Sequence, residues 1–508
     1  MKLKSGKGKH LYCLLLFLIL STSALSQKRN NIWCFGDSAG INFNNFTNPL
    51  PILSSVRSRG SCVSISDSTG SLNCYAATTE LFSPADTFQT KVYNRYHQLI
   101  QNGDSIVGLG WYYELVLLPY PGTNNLYYLF SIGVTDNYGL YYSVIDMNQN
   151  GGSGAVTQKN VQLLNYRCSD GLTAIKHANG RDWWVLFRRG YLPTNEFYIY
   201  LVTPAGIQGP AITALGSLSN SGFLRQVFSP DGSKLMIINA AGLIELYEFD
   251  RCTGLPSNPM TIEQENLNNP PYYFSGEFSK DAHRFYFTDS YLDTSRLMQI
   301  DLLASNITAS KDTIYEFTYP PCYNAEGVVK RGPDGKIYVA NCYYNGIQHA
   351  YPYADSMYNM YNMYISVINS PDSLGAACDF QPYSFYLGGK RSYWGLPNNP
   401  DYDLGPVVGS ICDSLHTSVE NLLSAKAELK IYYHSSWEVA YINAQQLKGR
   451  TYLLSVFDVS GKRIFSESGK LNSPYYTKSL NCQGFAAGVY LVTLETEQEK
   501  MTERFVRD

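Results

Sequence analysis

The sequence carries little charge for its length: Asp, Glu, Lys and Arg make up 16% of 508 residues and leave a net charge of −3. Without a basic field to neutralise phosphates, nucleic acid is excluded as a partner. Histidine is scarce, at 7 residues, and none stands in an H-E-x-x-H or similar ligand spacing. The 11 cysteines never form C-x-x-C, so no zinc site is expected. Asp401 and Asp403 lack the further oxygen donors of a calcium loop, and no metal or cofactor is assigned. Helical periodicity is nearly absent, which leaves no helix for a G-x-S-x-G nucleophile to precede. After residue 26 no run approaches the ~20 apolar residues of a membrane-spanning helix, so no transmembrane anchor is expected.

The first 26 residues do hold an apolar run, but a short one. Lys2, Lys4, Lys7 and Lys9 precede Leu11–Leu20, and Ala24-Leu25-Ser26 offers a small-x-small site. That order is a Sec signal peptide, with cleavage between Ser26 and Gln27 and export to the periplasm. What the chain has in excess is tyrosine, 43 residues, with aromatics at 14%. Tyrosine suits half-buried strand faces first and recognition surfaces second.

A strand, a tight turn and a second strand recur through residues 27–400. The turns fall at Asp67-Ser-Thr-Gly70, Gly122-Thr-Asn124, Asn179-Gly180, Pro230-Asp231-Gly232, Asp281-Ala282 and Pro333-Asp334-Gly335, spaced 50–57 residues apart. Alternation is clear in Arg284-Phe-Tyr-Phe-Thr288 and Lys336-Ile-Tyr-Val-Ala340. About fifty residues with four short strands is one propeller blade. Two pieces remain, Asn31–Phe43 and Phe385–Pro397, which together would close a seventh blade through both ends of the array and leave no bare edge. The expected fold is therefore all-β, a seven-bladed β-propeller with six blades as the alternative, then a linker at 401–428. In an exported chain some cysteines should pair. Cys62 with Cys74, around one hairpin turn, and Cys322 with Cys342, around another strand pair, are the candidates, against isolated buried thiols.

The segments Ile32–Phe43, Phe249–Asn258, Gly332–Tyr338 and Gly395-Leu-Pro397 resemble secreted propeller-like proteins of Bacteroidetes. These are strands and turns, informative about fold and not about ligand. Residues 429–508 again read as strands around Val459-Ser-Gly461 and Ala487-Gly488, a small immunoglobulin-like β-sandwich. Val456–Lys462, Gly484–Val492 and Glu503–Arg507 resemble the C-terminal sorting domain (type A) of type IX secretion substrates, with Gly488, Val489, Tyr490 and Leu491 as the sorting motif. The opening Tyr-Pro-Asn-Pro-like segment of that family is missing before Leu429. The resemblance implies the type IX machinery as a partner and an extracellular or outer-surface destination.

No catalytic constellation stands out. Asp231, Asp281 and Asp334 recur at equivalent places, as turn residues do, whereas a catalytic residue breaks the symmetry. His177 and His283 are expected to be exposed turn residues. The least repeat-like stretch, residues 349–364, holds Tyr351, Tyr353, Tyr358, Tyr361 and Tyr364 and is the candidate recognition loop, with packing over a blade edge as the alternative. The reading is a non-catalytic secreted or cell-surface binding protein for an extracellular protein or glycan. The alternative is a carbohydrate-active or lactone-type hydrolase with a site at the propeller axis. Acidic residues and histidine gathered at one mouth of the ring would favour the hydrolase, an aromatic, uncharged mouth the binder.

Overall fold

The computed structural model describes residues 28–79, 89–134, 139–290, 294–318, 323–344, 358–413, 427–434, 438–445, 447–471 and 475–507. Seven antiparallel sheets follow one another along the chain: blade 1 from Ile32 to Arg57, blade 2 from Cys62 to Asn94, blade 3 from Leu115 to Leu164, blade 4 from Thr173 to Ser219, blade 5 from Leu224 to Glu263, blade 6 from Tyr273 to Thr318 and blade 7 from Tyr323 to Tyr386. Among the described residues the only helical segments are three short 3-10 turns.

Burial follows the order of strands within a blade. In blade 4 the strand Trp183–Arg188 is buried at every position, whereas the outermost strand, Gly206–Ser219, is mostly half-buried. Inner strands are covered on both faces by neighbouring blades, which is why they read as continuous apolar runs such as Trp-Trp-Val-Leu-Phe. The seams are mixed cores: Ile175, Leu186 and Phe197 of blade 4 pack on Leu235, Ile237 and Tyr247 of blade 5.

The recurring aspartates close the turns below these strands. The Asp231 carboxylate accepts from Ser229 Oγ at 2.6 Å and from the Ser233 amide at 3.0 Å, while Gly232 takes φ +74°. Asp281 repeats the geometry with Ser279 and His283, and Ala282 sits at φ +60° where the other turns use glycine. These carboxylates are therefore turn residues.

The ring closes on both ends of the array, with a different division of labour from the expected one. Blade 1 supplies three strands, and the segment after blade 7 joins it through an antiparallel bridge between Asp37 and Arg391. The Asp37 and Arg391 side chains add an ion pair at 3.1 Å in which the arginine is almost fully buried. Phe385 belongs instead to the outer strand of blade 7, opposite Ile365. Trp33 and Phe43 of blade 1 seal the last seam against Tyr338 of blade 7, with ring centroids 5.8 and 5.3 Å away.

The cysteine pairing needs correction. Across the hairpin of blade 2, Cys62 lies opposite Ala77 and Cys74 opposite Ile65, so the two are out of register, and both are free buried thiols. The bond instead joins Cys252 to Cys412. Cys342 is buried, and its suggested partner Cys322 lies outside the described residues. Residues 401–413, expected as the start of a linker, are packed on the propeller: Tyr402 is fully buried and Val407 donates its amide to Ala178.

Seven further strands between Glu428 and Arg507 form a three-stranded and a four-stranded sheet facing each other. Their inner faces meet through Ala440, Ile442 and Leu480 on one side and Leu454, Val456, Val492 and Leu494 on the other. The period-2 spacing of these residues is what a two-layer sandwich requires.

Candidate functional site

Ligand sites are concave, and in a ring of sheets the concavity is the axis, where the first strands of the blades converge. Here the chain fills it with its own residues. From Trp394 to Tyr402 the segment after blade 7 passes from the top face, where the first strands begin, to the bottom face, where they end. The Trp394 carbonyl accepts from Val328 at 2.7 Å, and Gly395 donates to Arg59 at 3.2 Å. A Cβ on Gly395 would stand 2.1 Å from the Gly60 carbonyl, so only glycine admits this approach of two backbones.

Asn398 is the hub. Its amide donates to Cys62 at 2.9 Å, its Nδ2 to the carbonyls of Leu115 and Leu172 at 3.0 and 2.9 Å, and its Oδ1 accepts from Arg225 at 2.9 Å. One buried side chain thus ties the axial segment to blades 3 and 5 and to the approach to blade 4. Asn399 accepts from the Ser64 amide and, through its carbonyl, from Lys330 Nζ at 2.7 Å. Tyr402 ends the passage with its hydroxyl on the Leu117 carbonyl at 2.8 Å.

The top mouth is aromatic. Tyr112, Phe223 and Phe274 interlock at centroid distances of 4.7 to 5.6 Å, and Trp394 covers Phe274 at 5.2 Å. Trp111, Phe223 and Trp394 remain half-exposed. Two carboxylates lie beneath them, both fully engaged by backbone. Asp170 accepts the amides of Tyr112 and Tyr113 at 2.9 and 2.7 Å, and burial lifts its carboxyl to about 7. Glu114 accepts from Leu109 and Gly110, and burial holds its carboxyl well above the usual range. They fix the 109–113 connection and face no open space.

The bottom mouth holds a cavity of about 280 Å³. Arg225, Glu277, Lys330 and Arg331 come from blades 5, 6 and 7, and Asp401 and Asp403 from the emerging axial segment. Burial lowers the Lys330 ammonium to about 8, and burial and the neighbouring Asp401 raise the Asp403 carboxyl to about 7. The sequence signal for these residues was weak: Lys330 follows the apolar pair Val328-Val329, but its strand also holds Asn324, Glu326 and Arg331, and Arg225 is followed by Gln226.

Of the candidate recognition tyrosines, Tyr351 and Tyr353 lie outside the described residues, as do Ser26 and Gln27. Tyr358, Tyr361 and Tyr364 line the same connection of blade 7 but do not converge. Tyr358 donates to Asp37 at 3.0 Å and lies under Arg391, Tyr361 stacks on Tyr343 at 6.0 Å, and Tyr364 packs on Tyr386 at 5.0 Å. Tyr358 and Met360 are exposed. His283 is exposed and pairs with Asp281, whereas His177 is buried, contrary to expectation, because its Nε2 meets the Cys252 carbonyl at 3.1 Å under the strap of residues 404–412. In the sandwich, Gly488–Leu491 opens the strand Gly488–Thr496. Tyr490 is buried between Phe485 and Phe505 with its hydroxyl on the Ala486 carbonyl at 2.6 Å, while Leu491 faces out. Among the described residues no group of three or more His, Cys, Asp or Glu could hold a metal ion, and no helix is long and apolar enough to cross a membrane.

The chain is thus an all-β propeller with its axis closed by its own backbone, followed by a β-sandwich. Residues 436–508 of that sandwich match the family described as the secretion system C-terminal sorting domain, which marks the chain for type IX secretion toward the cell surface or extracellular space. No curated protein matches the sequence. Solved structures that resemble it include a 6-phosphogluconolactonase-like protein of Bacteroides fragilis, 12% identical over 73% of this chain and 98% of that one, with a TM-score of 0.42. The periplasmic gluconolactonase of Pseudomonas aeruginosa is 11% identical over 81% and 100% of the two chains, TM-score 0.35. An auxiliary nutrient binding protein of Bacteroides thetaiotaomicron is 10% identical over 61% and 72%, TM-score 0.33.

Proposed function

We propose that the protein is a non-catalytic binding propeller, exported through Sec and then the type IX machinery, that presents its top face to an extracellular protein or glycan. The observation that carries this reading is the occupied axis: residues 394–402 stand where an axial hydrolase would seat its substrate, and Asp170 and Glu114, the carboxylates beneath the top mouth, are spent on backbone amides. The aromatic mouth supports it further. Trp111, Phe223 and Trp394 offer half-exposed rings of low conformational entropy, flanked by Arg59 and Arg167. In the sandwich, Gly488–Leu491 serves as the sorting motif, and the exported chain begins at Gln27.

Two experiments test the two halves. The secreted protein, probed on glycan and peptide arrays, should give hits that Trp111→Ala and Phe223→Ser abolish while the fold survives by circular dichroism. A passive carrier fused to residues 429–508 should leave a type IX-competent cell. Hits unchanged in both variants, or hydrolysis of array sugars, would move the function away from this face, and a retained carrier would remove the sorting role.

A further inference from the structure

The cavity at the bottom mouth lies on the opposite face from the aromatic surface and is built from charge. Its floor is cationic. Arg225 is 3% exposed and lies with its guanidinium over the Tyr113 ring at 4.6 Å. Its Nη1 is used by Asn398, but its Nε is buried without a hydrogen-bond partner. Lys330 spends one proton on the Asn399 carbonyl, which leaves two N–H donors on its ammonium. Arg331 stands beside it and Lys280 at the rim. Leaving a buried cation donor unsatisfied costs free energy that a bound anion would recover.

The same lining also carries acceptors, with Glu277 set between Arg225 and Lys330 and the two aspartates on the axial segment. Asp403 Oδ1 is buried without a hydrogen-bond partner while its carboxylate takes the Arg29 amide, and Asp401 Oδ1 accepts the Asp403 amide. Glu277 receives the amides of Phe278 and Arg331 at 3.2 and 3.3 Å and keeps lone pairs free. A ligand that satisfies both sets of groups needs one anionic end and several donors elsewhere. Four cations against three carboxylates disfavour an ammonium as the donor, whereas neutral hydroxyls carry no such penalty. The volume sits at the lower end of small-molecule sites, which run from about 300 Å³, the scale of a single sugar ring.

We infer that this cavity binds a small hydroxylated carboxylate, a uronic-acid type of sugar, with its carboxylate on Arg225 and Lys330 and its hydroxyls against Asp401 and Asp403. The axial segment builds the site: it supplies both aspartates and, through Asn398 and Asn399, orients both cations. Nothing in this assignment depends on what the top face recognises.

Isothermal titration of the secreted protein with D-glucuronate, D-glucose and inorganic phosphate tests it. Glucuronate should bind at one saturable site, with glucose and phosphate each at least tenfold weaker. Lys330→Met should weaken glucuronate at least tenfold. Because that change also frees the Asn399 carbonyl, the half-exposed Arg331→Gln provides a second variant, expected to weaken binding several-fold without loss of thermal stability. Absence of a glucuronate isotherm overturns the site, as does unaltered binding in both variants. Glucose binding equally well would remove the carboxylate's role, and phosphate binding equally well the sugar's, and either result overturns the assignment.

Discussion

Removing the Asn398 side chain tests whether the axial segment holds the ring together or merely lies in it. Asn398→Ala leaves three partners behind. The Leu115 and Leu172 carbonyls each lose one hydrogen bond, worth about 0.5–1.5 kcal/mol net. Arg225 loses its Nη1 acceptor inside the protein, a charged bond worth about 1.5–3 kcal/mol. Its Nε already lacks a partner, so the guanidinium has no local substitute. Allowing for relaxation, the loss comes to about 3–5 kcal/mol. Unfolding entropy runs near 2.1 cal/mol/K per residue, which for a body of about 380 residues gives roughly 0.8 kcal/mol/K and a Tm decrease of about 4–6 °C. Differential scanning calorimetry of the secreted protein reads this directly. A double-mutant cycle with Arg225→Met should return a coupling energy above about 1 kcal/mol, because the two side chains are in direct contact. A Tm within 1 °C of wild type for Asn398→Ala, together with no coupling, would show that the segment occupies the axis without bracing it.

Two further outcomes follow from buried groups. Cys412→Ser should lower the urea midpoint, since the Cys252–Cys412 bond closes a sequence separation of 160 residues. The chain-entropy limit for such a loop is about 5 kcal/mol. Peptide mapping without reductant should find that bond and leave Cys62 and Cys74 alkylated after denaturation; a 62–74 linkage would contradict the register of their hairpin. Asp170 is held by burial at about 7 in the fold, above its unfolded value, so the folded ring binds more protons than the unfolded chain between about pH 4 and 7. Its contribution is present at the acid end and fades as pH rises through 7. The stability advantage of wild type over Asp170→Asn should therefore shrink from pH 5 to pH 8 in urea titrations, and an advantage that grows over that range would refute the assignment.

The parts of the fold that repeat were legible and the parts that break the repeat were not. Asp231-Gly232 and Asp334-Gly335 announce themselves because a tight turn needs those residue types, and their spacing places the blades. Tyr490 and Leu491 announce a strand because period 2 is written in the residues. Nothing local distinguishes Asn398 from a loop asparagine: its role comes from Leu115, Leu172 and Arg225, each more than 150 residues away, which composition and period cannot encode. The same holds for Cys252 and Cys412, whose proximity depends on a strap lying under blades 4 and 5. The Cys62–Cys74 expectation failed for a related reason. Symmetry about a turn does not fix register: the hairpin pairs Ser66 with Leu72 and, past a one-residue shift, Ile65 with Cys74, three positions from Cys62, so the two cysteines would miss each other even without the shift.

The position of the strap bears on how export and function share one chain. Among the described residues the contacts that close the ring are complete by Cys412: Asp37 with Arg391, the Asn398 hub, Arg251 on the Gly405 carbonyl and the disulfide to Cys252. The sandwich starts at Glu428 with its own core of Leu454, Val456, Val492 and Leu494 and needs no residue of the ring to fill it. The two bodies touch where buried Tyr441 meets Thr213 in the outer strand of blade 4, but each has its own apolar core, and bodies with separate cores can fold separately. A sorting domain arranged in this way can engage the secretion machinery, or be lost afterwards, without opening the axis. The cavity at the bottom mouth follows the same logic, because Asp401 and Asp403 are pinned between the Asn398 hub and the disulfide and stay in place whatever becomes of the chain beyond residue 413.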